Sequence, residues 1–198
     1  MRSIIIIFAC TLLGVISCNS NVGTTTGTND TTKTQTNVVS APVQSKLGDT
    51  GTQVLMSVVG RYYDLKNALV ASKADQAKSA ATGLDSITRS FKTMLEKDPT
   101  NFTTLKPFLD TILLQCQYSS SVKDETCEKQ RLAFGPLSSA LFGLLKNVDL
   151  KNVRIYREYC PMAFNDKGAH WLSDDSDIKN PYFGKKMLEC GEVTDVIK

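Results

Sequence analysis

The chain has 198 residues, of which 41% are hydrophobic and 22% are charged. This composition supports one buried core and excludes both a disordered tail and a protein with several membrane spans. The formal net charge of +3 falls short of the basic surface that nucleic-acid binding requires, so we expect no nucleic-acid partner. His170 is the only histidine, and no nucleophile, base and orienting group can be combined around it. We therefore predict no enzymatic activity.

The N-terminus is arranged like an export signal, because the basic residue Arg2 is followed by an apolar segment. This segment is too short for a membrane span. The end of this segment, Val15-Ile16-Ser17-Cys18, resembles the lipobox of bacterial lipoproteins. The resemblance implies that residues 1–17 are a lipoprotein signal peptide and that Cys18 carries the lipid. The protein would then be anchored to the lipid bilayer of the bacterial cell envelope and face the periplasm. An ordinary cleaved signal with an incidental cysteine is the alternative.

The next segment, residues 18–48, is rich in Thr, Asn and Ser and contains no aromatic residue. Such a composition cannot bury enough apolar surface to offset the entropy lost on ordering the backbone. We interpret the segment as a flexible tether between the lipid and a folded domain. A pro-region or a glycosylated stalk would also fit this composition.

Between residues 49 and 150 the apolar side chains recur every three or four positions, which is the period of an amphipathic helix. Four helices are predicted: from about Thr52 to Ala71, from Ser72 to a stop before Asp98-Pro99, from about Thr103 with Pro107 in the first turn, and from about Asp124 with a kink at Gly135-Pro136. Each apolar stripe can be buried only against the others. We therefore predict a mainly α fold, an up-down-up-down four-helix bundle.

Two cysteines lie where the third predicted helix ends and the fourth begins. Cys116 closes the apolar stripe of the third helix and Cys127 opens that of the fourth, so both should face inward near one turn. We predict a disulfide between them, which would stabilise the fold by about 3 kcal/mol in the loop-entropy description. Two buried free thiols are the alternative.

The C-terminal segment, residues 151–198, holds the only Trp, the only His and two cysteines. Val153-Arg154-Ile155-Tyr156 alternates as a strand does, and Asn180-Pro181-Tyr182-Phe183-Gly184 is a turn signal. We predict an irregular, loop-rich tail with short strands. Because it is too small and polar for a core of its own, it should pack on the bundle as part of the same domain.

The tail places a thiol next to a thioether twice, in Cys160-Pro161-Met162 and in Met187-Leu188-Glu189-Cys190. Sulfur ligands favour soft ions such as Cu(I), or Zn²⁺ where two thiolates are available. Cys160, Met162, Met187 and Cys190 are therefore the candidate metal ligands, and His170 could add a nitrogen. The alternative is a Cys160–Cys190 disulfide that staples the tail in an oxidising compartment, with both methionines in packing roles.

Several segments resemble a bacterial family of unknown function, over roughly residues 50–196. They are Tyr63–Val70, Phe134–Ser138, Cys160–Phe164, Gly168–Ser173, Ile178–Gly184 and Met187–Val193. Members of that family are exported stand-alone lipoproteins, or they are fused to the C-terminus of periplasmic adaptor subunits of heavy-metal efflux pumps of the resistance-nodulation-division type. The resemblance implies copper or a similar metal as the ligand, and the four sulfur residues as its site.

The predicted function is that of a membrane-anchored envelope lipoprotein that binds a soft metal ion, with copper favoured. Such a protein would buffer the ion or pass it to a heavy-metal efflux adaptor. The alternative is a structural or protein-interaction domain with a Cys160–Cys190 disulfide and no metal.

Overall fold

The computed structural model describes residues 45–198. The predicted signal peptide, the lipid-attachment residue Cys18 and the first part of the tether lie outside the described residues. Residues 45–48, predicted as the end of the tether, belong to the fold. Ser45 is buried, its N–H donates to the Asn147 carbonyl at 2.7 Å, and its carbonyl accepts from the Asp149 N–H at 3.0 Å.

Four helices follow in succession, each packed on the next: α1 (Asp49–Val70), α2 (Ala74–Leu95), α3 (Pro99–Ser121) and α4 (Glu128–Lys146). The predicted mainly α bundle is confirmed. Its core is formed by the predicted apolar stripes, and the largest side chains in it are Tyr62, Phe91 and Phe134. No helix in the part of the chain that the structure describes combines the length and the hydrophobicity of a membrane span.

All four helix starts differ from the prediction by a few residues, and polar residues account for the two largest differences, at α3 and α4. α3 begins at Pro99 rather than near Thr103, since the Asp98 carboxylate accepts a hydrogen bond from the Asn101 N–H at 3.2 Å and proline suits the first helical position. Pro107 therefore lies inside α3, on its exposed side. α4 begins at Glu128 rather than near Asp124, whose carboxylate accepts from the Lys129 N–H at 2.6 Å.

The tail forms a three-stranded antiparallel sheet in the order β2-β1-β3, with β1 over Ile155–Cys160, β2 over Ala169–Ser173 and β3 over Glu192–Ile197. The predicted short strands are thus present. The outer edge of β2 faces the bundle. There the Leu172 N–H donates to the Tyr62 hydroxyl at 2.9 Å, and the Tyr182 hydroxyl donates to the His170 carbonyl at 2.5 Å. These bonds satisfy backbone groups that an open sheet edge would leave unpaired.

The tail and the bundle share one hydrophobic core. Trp171 is fully buried and meets the Tyr182 ring edge to face at 5.9 Å, while Tyr182 also packs against Phe134 of α4. Phe164 approaches α4 so closely that a Cβ at Gly135 would lie 3.1 Å from its ring. A larger residue at position 135 would push this loop away from the helix.

Candidate thiol site

The sheet brings two cysteines into contact, with the Sγ atoms of Cys160 and Cys190 3.2 Å apart. Cys160 is the last residue of β1 and is fully buried, whereas Cys190 lies just before β3 and is half-buried. Because β1 and β3 run antiparallel, the end of one strand lies beside the start of the other. The topology of the sheet therefore brings the two cysteines together, and Cys190 is the one nearer to solvent.

Asn180 fixes the backbone of the segment that carries Cys190. Its side-chain amide donates to the Cys190 carbonyl at 2.6 Å, and its side-chain oxygen accepts from the Tyr182 N–H at 2.8 Å and the Phe183 N–H at 3.2 Å. Asn180 is fully buried, so these bonds form away from solvent. The turn predicted at residues 180–184 thus positions one of the two thiols.

Trp171 forms a wall next to the second thiol. A Cβ at Gly191 would lie 2.8 Å from the Trp171 ring and 2.9 Å from the Tyr159 carbonyl oxygen. Gly191 also has a φ of +154°, which side chains rarely adopt. Only glycine therefore lets the chain pass this closely over the indole and bring Cys190 to Cys160.

Cys160 stabilises the protonated form of Cys190. The hydrogen bond with Cys160 raises the pKa of Cys190, and partial burial raises it further. Because a metal ion binds the thiolate, binding at this pair must release protons. Uptake of a metal is therefore expected to strengthen as the pH rises.

The separation of the sulfurs lies between those of the two predicted states. A disulfide would bring them to about 2.05 Å. Two thiolates bound tetrahedrally to one ion at about 2.3 Å each would lie about 3.8 Å apart. Both states can be reached from the observed 3.2 Å by a movement of about 1 Å, which the half-buried Cys190 can make more easily than Cys160.

Of the other predicted ligands, the two methionines lie near the cysteines along the chain, whereas His170 lies on the other face of the sheet. Met162 is 45% exposed, two residues beyond Cys160, and Met187 is half-buried, three residues before Cys190. His170 pairs with Tyr159 across β1 and β2 and packs on its ring at 4.5 Å, whereas Cys160 pairs with Ala169. Since neighbouring residues of a strand point to opposite faces, the structure does not bring His170 to the thiols. No group of three or more His, Cys, Asp and Glu side chains within residues 45–198 is arranged to hold a metal ion.

Cys116 and Cys127 are both buried free thiols, so the predicted disulfide between them is not formed in this structure. Cys116 lies in the last turns of α3, about 7 Å along the axis from its end, whereas Cys127 occupies the N-terminal cap of α4. The pKa of Cys116 is raised to about 12, mainly by burial and also by nearby Asp85. Such a thiol is unreactive at neutral pH.

A buried carboxylate on the central strand of the sheet was not predicted. Glu158 is fully buried opposite Trp171, and within the described residues neither its carboxylate oxygens nor the Trp171 Nε1 makes a hydrogen bond of ordinary geometry. Burial raises the pKa of Glu158 to about 7, an effect that the nearby cation of Lys66 opposes. One feature of the sequence could have indicated a buried charge here. Lys66 follows Tyr62 by four positions, so it falls beside the apolar stripe of α1.

Part of the chain matches a known protein family. Residues 58–152 match the profile of a family described as a protein of unknown function (DUF3347). The matched range runs from α1 to just beyond α4, so the cysteines of the thiol site lie outside it. No curated protein and no solved structure matches the chain.

Proposed function

We propose that this protein is a lipoprotein of the bacterial cell envelope that binds copper, as Cu(I), through the thiolates of Cys160 and Cys190. It buffers this ion on the periplasmic side or passes it to the adaptor of a heavy-metal efflux system. The anchor at Cys18 and the adaptor partner rest on the sequence resemblances. The ion is the cargo of the protein, and no residue has a catalytic role.

The contact between the two thiols carries the metal proposal. They come from distant positions in the tail, yet their Sγ atoms lie 3.2 Å apart. Two thiolates are a ligand set that suits a soft monovalent ion and does not suit Mg²⁺ or Ca²⁺. The partial exposure of Cys190 offers an entry route, and Met162 and Met187, on the segments that flank the pair, can each add a thioether.

A second function is favoured by the complete burial of Cys160. A buried sulfur this close to a second one forms a disulfide with little movement, and the predicted envelope location is oxidising. In that case the pair would staple the sheet, and the domain would serve a structural or protein-interaction role without metal. In the first function the two sulfurs bind the metal ion as thiolates, whereas in the second they bond to each other.

Competition against a chromogenic Cu(I) chelator, with reduced protein under nitrogen, tests the proposal. We expect wild-type protein to take up about one ion per chain, and Cys160→Ser and Cys190→Ser to lose most of this uptake. Met162→Leu and Met187→Leu should reduce the affinity less, because each removes a neutral ligand at similar volume. Cys127→Ala is the matched control, since it removes a buried thiol outside the pair and should leave uptake unchanged.

Equal and weak uptake by all of these proteins would remove the metal proposal. The staple function has its own signature in oxidised protein, namely similar losses of thermal stability for Cys160→Ser and Cys190→Ser. Under that function the methionine variants would change neither copper uptake nor the redox state of the pair.

A further inference from the structure

A cavity of about 470 Å³ opens between α4, the loop that follows β1 and the turn at residues 182–186. None of its lining residues is a cysteine, so it is separate from the thiol pair. Its size is within the range of cavities that bind small organic molecules. The lining combines an apolar surface with an excess of positive charge.

Three accessible hydrophobic side chains, together with the more deeply buried Tyr182, form the apolar part of the lining. Leu132 of α4 is 57% exposed, so its side chain is accessible to a ligand in the cavity. Phe164 and Phe183 flank it and are half-buried, so part of each ring remains accessible. The apolar body of a ligand placed here would remove all three from water.

The charge of the lining is positive. Arg131, Lys167 and Lys186 contribute cations and Glu128 one carboxylate, and none of the three cations forms an ion pair within residues 45–198. Arg131 donates four hydrogen bonds, and their acceptors are uncharged: the carbonyls of Leu69, Thr126 and Pro181 and the Ser72 hydroxyl. Its charge is therefore not neutralised by the protein, and the cavity attracts anions.

The backbone holds the aromatic edge of the cavity in a fixed position. Phe164, Asn165 and Asp166 have φ values of +56°, +58° and +63°, a conformation that side-chain-bearing residues rarely adopt. This places the Phe164 ring against Tyr182, with ring centroids 5.1 Å apart. The wall is thus preformed and does not need a ligand to assemble it.

We infer that this cavity binds a small amphipathic organic anion, with its aromatic or branched apolar body on Leu132, Phe164 and Phe183 and its carboxylate or sulfonate group beside Lys167 and Lys186. The inference does not depend on the proposed metal function, because the two sites share no residue. Loss of copper binding would leave it standing, and its own failure would leave the thiol site unaffected.

The probe is 8-anilinonaphthalene-1-sulfonate, an aromatic anion whose fluorescence rises in an apolar site, titrated into the intact folded chain. We expect saturable binding at about one site per chain, weakened by rising NaCl. Lys167→Ala combined with Lys186→Ala should reduce the affinity by about tenfold or more and remove the salt dependence. Lys185→Ala is the matched control, since this exposed lysine of the same turn is outside the lining and should bind as wild type does.

The contribution of the apolar surface is tested separately. Leu132→Asn should also weaken the probe, and because Leu132 is exposed the variant should keep the far-UV dichroism and the urea midpoint of wild type. The neutral analogue N-phenyl-1-naphthylamine should bind more weakly and be indifferent to the lysine changes. Equal affinity of wild type and the double lysine variant, or equal binding of the neutral analogue, would overturn the inference.

Discussion

The hydroxyl of Tyr62 on α1 accepts a hydrogen bond from the Leu172 N–H on β2 at 2.9 Å. The same hydroxyl lies 2.8 Å from Ser138 Oγ on α4, so one side chain links two helices of the bundle to the sheet. Its ring is fully buried and stacks on Phe134 at 5.1 Å. The phenolic oxygen of Tyr62 therefore contributes to the attachment of the tail to the bundle, in addition to packing and to the hydrogen bonds of Lys66 with Ser173 and of Arg131 with Pro181.

Tyr62→Phe should destabilise the domain while keeping its packing. The substitution leaves the Leu172 N–H and the Ser138 hydroxyl without their partner in a buried site, at a cost of about 2 kcal/mol. Urea denaturation followed by dichroism measures the change in the free energy of unfolding. Tyr118→Phe on the exposed side of α3 is the control and should have no effect. Equal stability of Tyr62→Phe and wild type would mean that the sheet does not need this bond.

Glu158 should make the stability of the protein fall as the pH rises through neutrality. Its pKa is raised from the ordinary 4.5 to about 7, chiefly by burial. The folded state therefore holds the proton more tightly than the unfolded state between these two values. The contribution is fully present below pH 4.5 and is lost as the pH rises through about 7, with a total of about 3 kcal/mol.

Glu158→Gln tests this contribution, because the amide cannot ionise. The groups that act on the carboxylate are Lys66 from α1, Trp171 from β2, and Asp174 and Asp175 after β2, and all of them remain in the variant. The difference in unfolding free energy between variant and wild type should increase in favour of the variant from pH 5 to pH 8. The exposed Glu125→Gln serves as the control. A difference that is constant with pH would contradict the raised pKa.

The helices could be predicted from the sequence because burial imposes a period on it. Leu55, Tyr62 and Leu69, which the pattern places on one stripe, are all fully buried. The predicted start of α3 was wrong because an Asp-Pro pair is compatible with two structures. It can end one helix, or it can begin the next, with Asp as the cap and proline in the first helical position. Only the packing of the connection decides between them.

The thiol site was only partly predictable. Repeated Cys and Met residues indicated that Cys160 and Cys190 belong together, but the face on which His170 lies depends on the register between β1 and β2, which the sequence does not specify. Glu158 escaped prediction because Arg157 and Glu158 put a charged residue on each face of β1. Alternation then gives no indication of which of the two charged side chains is buried.

Cys18→Ser should release the protein from the membrane fraction if the proposed lipid anchor is correct. Acyl chains bind a bilayer through about 0.8 kcal/mol for each buried methylene, and serine cannot receive the thioether-linked lipid. Phase separation in a cloud-point detergent measures the effect. We expect wild-type protein in the detergent phase and the variant in the aqueous phase. A folded variant that still partitions with detergent would refute the anchor.

Asn180→Ala should weaken the positioning of Cys190 beside Cys160 without removing either thiol. The change removes three hydrogen bonds, to the Cys190 carbonyl and to the Tyr182 and Phe183 amides, and leaves those buried groups without a partner. We expect a loss of about 3 kcal/mol in the free energy of unfolding. Because the segment that carries Cys190 is then less fixed, the effective concentration of one thiol at the other falls. The Cys160–Cys190 disulfide should therefore be reduced more easily, which equilibration in glutathione buffers measures.

Asn67→Ala on the exposed side of α1 is the control, and it should change neither stability nor redox equilibrium. If Asn180→Ala is less stable but its redox equilibrium equals that of wild type, Asn180 supports the fold without positioning the thiols.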